Sequence, residues 1–198
     1  AGEAVAEWSS PAGHAVRVKN GAKIRFAVIS FPGGDGTVEP CDLTAAGLIF
    51  GGRTAVEIAD LHNGQPVQEW SPGSADRKIV FRGTRVAAWN FYAADDAKVS
   101  LRKCTFGEAM GFGSARIAAS ESVCDGKGGY IGAHEKSEIR LTACRLDCPV
   151  IARDDATIVL ENCKVNGDVR AAGRSTVRLK GTTVTGKVEA DAGARIER

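Results

Sequence analysis

From Ala97 onward the chain repeats on a fixed period. Segments open at Ala97, Ala115, Ser137, Ala156 and Ser175 and run for 18, 22, 19, 19 and 19 residues in turn, and a last copy opens at Ala194. Each begins with a small residue and continues with apolar, polar, apolar alternation: Val99/Leu101, Ile117/Ala119, Ile139/Leu141, Ile158/Leu160, Val177/Leu179. A short fixed period combined with alternation of period two is what a solenoid of β-strand coils requires. No unit of this size buries its apolar face alone, so neighbouring copies must stack.

One coil gives the cross-section. Between Ala156 and Arg174 the inward candidates are Ile158/Leu160, Cys163/Val165 and Val169/Ala171, three pairs each spaced by two. The following coil repeats the scheme with Val177/Leu179, Thr182/Val184 and Val188/Ala190. Glycine recurs before the third pair, at Gly167 and Gly186, where a sharp corner favours a residue without Cβ. Three short strands around a triangular core make a single-stranded parallel β-helix with coils ~4.8 Å apart. An amphipathic helix would need spacings of three and four, which these segments lack.

Upstream the scheme loosens. Ile79/Phe81, Thr84/Val86 and Phe91/Ala93 predict a further coil over residues 77–96. The coil from Ala115 fits if Gly126-Lys127-Gly128 is a corner insertion, which puts Ile131 and Ala133 on its third strand. Val56/Ile58 and Val16/Val18 read as first strands. Residues 1–75 read as irregular early coils or an all-β cap, and 76–198 as the regular helix, the whole forming one continuous domain. The early segment holds long turns such as Phe31-Pro-Gly-Gly-Asp-Gly36, and echoes Glu7-Trp8-Ser9 in Glu69-Trp70-Ser71. Trp8 and Trp70 read more simply as closing the end of a core than as sugar platforms.

A net charge of +2 and the lack of any Lys/Arg run argue against a polyanion groove built on bulk charge, hence against nucleic acid. No stretch approaches the ~20 apolar residues of a membrane-spanning helix. Ala-Gly-Glu-Ala is no signal peptide, and the missing initiator Met leads us to expect a processed or shortened chain. No His-Glu-x-x-His pair, P-loop, dinucleotide fingerprint or Gly-x-Ser-x-Gly elbow occurs. His14, His62 and His134 are the only histidines.

Cys104, Cys144 and Cys163 fall at one coil position, with Ser122 and Thr182 at the same place in other coils. The plain reading is a column of small inward residues. Cys144 and Cys163, on adjacent coils, are close enough for a disulfide; Cys104 and Cys144, two coils apart, are not. Cys144-Arg-Leu-Asp-Cys148 has a chelating spacing, but the register turns Cys144 inward and leaves Cys148 at a corner, so zinc is not expected. Cys41 and Cys124 complete the six.

The polar turn after the third strand gathers chemistry. It stacks Asp95/Asp96, His134/Glu135/Lys136, Arg153/Asp154/Asp155 and Arg174 on nearby coils. Stacked carboxylates suit Ca²⁺ or, with one pKa displaced, acid–base work, which makes Arg153, Asp154, Glu135 and His134 the catalytic candidates. Trp89, Tyr92, Tyr130 and Lys127, together with Asp95, Asp96 and Asp155, are the ligand-binding candidates, with aromatic rings placed to stack on sugars. Solvated turns of mixed charge explain the same residues without any ligand.

The pattern of residues 77–198 resembles the right-handed parallel β-helix superfamily, which includes pectate-lyase-like polysaccharide lyases and hydrolases, adhesins and phage tail proteins. That resemblance, not the spacing, implies right-handedness. It also implies a cleft with calcium-binding carboxylates and a basic residue that removes a proton from the sugar. The coils from 137 onward carry no inserted loop to wall such a cleft. The stretch from Val165-Asn-Gly-Asp-Val169 through Val184-Thr-Gly-Lys-Val188 to Ala194-Arg-Ile196 also resembles bactofilins, whose β-helices polymerise end to end. The irregular first 75 residues depart from that pattern.

The expectation is therefore an extracytoplasmic or secreted, non-catalytic module for polysaccharide binding or surface interaction. A polysaccharide lyase or hydrolase is the first alternative, and a self-assembling scaffold with end-to-end association the second. Beyond Ca²⁺ no cofactor is expected, and no metal site is assigned.

Overall fold

The computed structural model describes residues 91–125 and 129–198 in full and, before residue 91, the backbone of the strands. The side chains of Trp8, Trp70, Trp89, Cys41, His14 and His62 lie outside the described residues, as does the insertion 126–128 with Lys127.

Three parallel ladders stack the strands of successive coils. The first stacks Ala55–Ala59, Lys98–Arg102, Arg116–Ser120, Glu138–Thr142, Thr157–Glu161, Thr176–Lys180 and Arg195–Glu197. The second is narrow: Thr105–Phe106, Val123–Cys124, Arg145–Leu146, Lys164–Val165 and Thr183–Val184. The third stacks Glu108–Gly111, Ile131–Ala133, Val150–Ala152, Val169–Ala171 and Val188–Ala190. It continues upstream through Ile79–Ala93, Asp42–Phe50 and Lys23–Phe31 to Val5–Ser9. Three strands per coil of about 19 residues make a parallel β-solenoid, and no helix occurs among the described residues. In particular, none is long and apolar enough to cross a membrane.

The register follows the repeat residue by residue. Ile139 pairs with Ile158 and Leu141 with Leu160; Val150 pairs with Val169 and Ala152 with Ala171. The inserted coil rejoins in step, with Ile131 opposite Val150 and Ala133 opposite Ala152. Val56 and Ile58 form a first strand as expected, opposite Val99 and Leu101. Val16–Val18 instead sits off the main path, paired with Gly36–Val38.

One expectation is corrected. Residues 79–93 are a single 15-residue strand, not three short ones. The run Ile-Val-Phe-Arg-Gly-Thr-Arg-Val-Ala-Ala-Trp-Asn-Phe-Tyr-Ala is rich in β-branched and aromatic residues, and its single Gly83 and Asn90 interrupt it without ending the strand. Its end still enters the third ladder in register, with Phe91 opposite Ala109 and Ala93 opposite Gly111.

The core is the stack of inward columns: Ile117, Ile139, Leu141, Ile158, Leu160, Val165, Val169 and Val177 are all buried. Phe91 and Phe106 meet edge to face at 6.0 Å in its upper part. Two bends per coil use the left-handed backbone. After the first strand these are Lys103, Glu121, Ala143, Asn162 and Gly181, and after the third Asp95, Glu135, Asp154 and Gly173, with Gly113 one coil above Glu135. Gly167 and Gly186 are required for another reason. A Cβ on Gly167 would lie 2.5 Å from the Cys148 carbonyl oxygen, and one on Gly186 would lie 2.4 Å from that of Gly167. Close approach of stacked backbones, not torsion, selects glycine at this corner.

Hydroxyls tie the bends between coils. Ser137 Oγ accepts from the His134 N–H and donates to the Gly111 carbonyl, both at 3.0 Å. Ser175 repeats the arrangement with Ala172 and Ala152 at 3.1 Å. At the other bend Ser122 Oγ accepts from Cys104 N–H at 3.1 Å, and Thr182 Oγ1 from Cys163 N–H at 3.2 Å.

Two substitutions test these assignments by urea denaturation. Leu141→Ala, deep in the stack, is expected to cost about 2–5 kcal/mol through the cavity it leaves. Ala143→Gly relieves an L-residue at φ 51° and is expected to gain roughly 0.5–1 kcal/mol, strain relief partly offset by a more flexible unfolded chain.

Candidate functional site

The corner that gathers the charged candidates is built by the third ladder's bend. Two of the left-handed residues, Gly113 and Glu135, turn their amides toward the coil below, where a carboxylate meets each. The Gly113 N–H donates to Glu135 Oε2 at 2.6 Å, and the Glu135 N–H donates to Asp154 Oδ2 at 3.0 Å. Arg174 grips Asp155 with two hydrogen bonds of 2.7 and 2.8 Å. That guanidinium holds the Asp155 carboxyl below its usual range. Among the described residues no three His, Cys, Asp or Glu side chains converge as metal ligands. Asp95 and Asp96 are exposed at the top of this corner. The carboxylates predicted as acid, base or Ca²⁺ ligands thus stand in two adjacent columns, Asp95, Glu135 and Asp154 in one and Asp96 and Asp155 in the next, and Glu135, Asp154 and Asp155 are engaged there.

The outer face of the third ladder is different in kind. Along one outward column run Tyr92, Met110, Gly132 and Ile151, and beside it Glu108 follows Asn90. The Tyr92 hydroxyl donates to Glu108 Oε2 at 2.6 Å, and that carboxylate's residue is only 9% exposed. Tyr130 lies across the next coil. A Cβ on Gly132 would meet Tyr130 Cε2 at 2.5 Å and His134 Nε2 at 3.3 Å, so the absent side chain lets ring and imidazole close over the strand. His134 in turn stacks on Phe112, centroids 5.0 Å apart and planes 14° from parallel. Burial foremost, then the Glu108 charge, raises the Tyr130 pKa, while Arg153 opposes them. Tyr130 is therefore a neutral hydroxyl at physiological pH.

Of the predicted residues, this face unites Tyr92, Tyr130, His134 and Arg153, whereas Asp95, Asp96, Glu135, Asp154 and Asp155 belong to the corner. His134 sits where the two meet. Sequence reading missed Glu108, Met110, Phe112 and Gly132. Phe112 and His134 fall at equivalent positions of successive coils, and that offset of 22 residues carries their signal.

The first ladder offers a lesser feature, a shallow groove of about 190 Å³. Small side chains Ser100, Ala118, Ser120 and Thr142 floor it between Arg102 and Arg140.

No protein-family model, no curated protein and no solved structure matches the chain.

His134 makes the site pH-sensitive. Its Nε2 is buried and has no hydrogen-bond partner among the described residues. Burial first, and the Arg153 guanidinium second, push its pKa below the ordinary 6.5, while Asp154 and Glu135 pull the other way. The fold therefore favours neutral imidazole. The unfolded chain binds the proton first, so stability is complete above about pH 6.5 and declines as pH falls through the lower folded value. Thermal melts between pH 7.5 and pH 5 should show the midpoint falling on acidification, and His134→Gln should flatten that part of the profile.

Proposed function

We propose that the protein is a non-catalytic binding module whose third-ladder face docks a polysaccharide chain. The observation that carries this reading is the Tyr130 ring lying over Gly132, between the Tyr92–Glu108 pair and the Phe112–His134 stack. Tyr92, Met110, Phe112, Tyr130, His134 and Ile151 are all half-buried there, an apolar and aromatic band on an otherwise charged exterior. Such a band suits the C–H face of a sugar ring, and Glu108 and Arg153 supply an acceptor and a donor for its hydroxyl or carboxylate groups. Successive coils repeat at the ~4.8 Å spacing of paired strands, so contacts extend along a linear chain. A ligand of this kind sits outside the cytoplasm, the location we assign to the protein.

Catalysis has less support. Glu135, Asp154 and Asp155, which the lyase reading needs free, are taken up by amide and guanidinium partners.

A polysaccharide panel, neutral and acidic, with and without Ca²⁺, tests the proposal. Retention without shortened products is expected. Tyr130→Ala should weaken binding on the order of tenfold, the scale of one aromatic contact, while circular dichroism and the melting midpoint establish that the variant folds. Release of shortened oligosaccharides would replace the binding reading with an enzymatic one. Absence of retention on every glycan would remove it.

A further inference from the structure

We propose that Cys124 and Cys148 form a thiol–disulfide site, closed by a small disulfide oxidant of the oxidised-glutathione class, which ties the inserted coil 115–136 to the coil below it. The two sulfurs are 2.9 Å apart and both residues are buried. A disulfide requires about 2.05 Å, so closure asks for under about 1 Å of movement.

The placement of Cys148 argues independently. It occupies the corner column that holds Gly167 and Gly186 in the following coils. There a Cβ is aimed at the preceding coil and would strike its carbonyl oxygen at 2.5 and 2.4 Å. Cys148 carries a side chain at this position, and the coil preceding it is the one with the insertion at this corner. The group that its sulfur meets in that coil is Cys124.

The other described cysteines have a different explanation. Cys104 donates to the Arg102 carbonyl at 3.2 Å, Cys144 to Thr142 at 3.3 Å and Cys163 to Glu161 at 3.4 Å. Ser122 and Thr182 make the same contact, to Ser120 and Lys180. That column selects a small S–H or O–H donor. The columns of Cys124 and Cys148 hold Phe106, Leu146, Val165 and Val184 in the one case and Gly167 and Gly186 in the other. Cys124 also donates to the Gly107 carbonyl at 3.2 Å, but no other coil places such a donor in either column, and here the two thiols touch.

The chemistry balances with the named oxidant. One cysteine loses its proton, and its thiolate attacks a sulfur of RSSR, forming a mixed disulfide and expelling RS⁻, which takes up a proton. The second thiolate then attacks the protein sulfur of that mixed disulfide and expels the second RS⁻, also protonated. Two protein thiols and RSSR become one protein disulfide and two RSH, with two electrons passing to the oxidant. Because both sulfurs are buried, the first attack proceeds through local opening of this corner, and the reaction is slow in the folded chain.

The test uses the whole chain with its six cysteines. Incubated with oxidised glutathione in mild denaturant and returned to buffer, it should titrate four free thiols after unfolding, and six once dithiothreitol is added. Peptide mapping should find the Cys124 and Cys148 peptides linked. The melting midpoint should rise on the order of 10 °C. Cys148→Ser should abolish both the link and the rise, and Cys144→Ser should keep both. Six persistent thiols, or a link that joins Cys144 to Cys163 or engages Cys41, would overturn the proposal; the wild-type map decides this even if a variant fails to fold.

Discussion

In a parallel solenoid every residue stands directly over its own equivalents, at the ~4.8 Å separation of hydrogen-bonded strands. This vertical constraint governs the rest of the molecule. An inward column must be apolar in each coil or, as at Ser122, Ser137 and Ser175, hold a hydroxyl bonded to a backbone carbonyl, because an unpaired polar group there would be walled in. A bend that is left-handed in one coil must be left-handed in the next, which is why positive φ recurs at Lys103, Glu121, Ala143, Asn162 and Gly181 despite their unlike side chains. Where backbones stack most closely, at Gly167 and Gly186, even one Cβ is too much.

The same constraint organises charge. Like charges stacked at coil spacing repel, and the exterior answers in part by alternation of sign. Glu138 stands between Arg116 and Arg140, at 3.9 and 3.1 Å. Lys180 meets Glu161, Arg178 meets Glu197 and Arg170 meets Asp191 across single coil steps. These pairs are exposed, so each adds little stability. Their effect is to favour one register over a slipped one. At the corner Asp155 belongs to this system through Arg174, while Glu135 and Asp154 answer backbone amides, and these partners account for the clustering without any catalytic demand.

Two places escape the alternation. On the third-ladder face, aromatic rings close over a glycine and a nearly buried carboxylate bonds a tyrosine hydroxyl. At the neighbouring corner, two thiols meet where the other coils have a hydrophobe and a glycine. Both draw on the coil with the insertion, which supplies Tyr130, Gly132 and His134 to the one and Cys124 to the other. A regular solenoid has only generic surfaces, so departures from its period are where specific chemistry has room to form.

Periodicity was enough to specify the coil, its three strands, the inward pairs and the stacking of Cys104, Ser122, Cys144, Cys163 and Thr182, because each is a local pattern repeated at fixed offset. It placed Ile131 and Ala133 correctly across the insertion for the same reason. It failed at residues 79–93, where apolar pairs were spaced as in a coil but no corner residue broke the strand. Contacts between columns were beyond its reach: Glu108 with Tyr92, Cys124 with Cys148. Each joins residues from different coils and from different columns. Their offsets of 16 and 24 residues match no coil length, and folding alone brings such side chains together. The repeat dictates which residues stack, whereas the length of each coil decides which of their neighbours they touch.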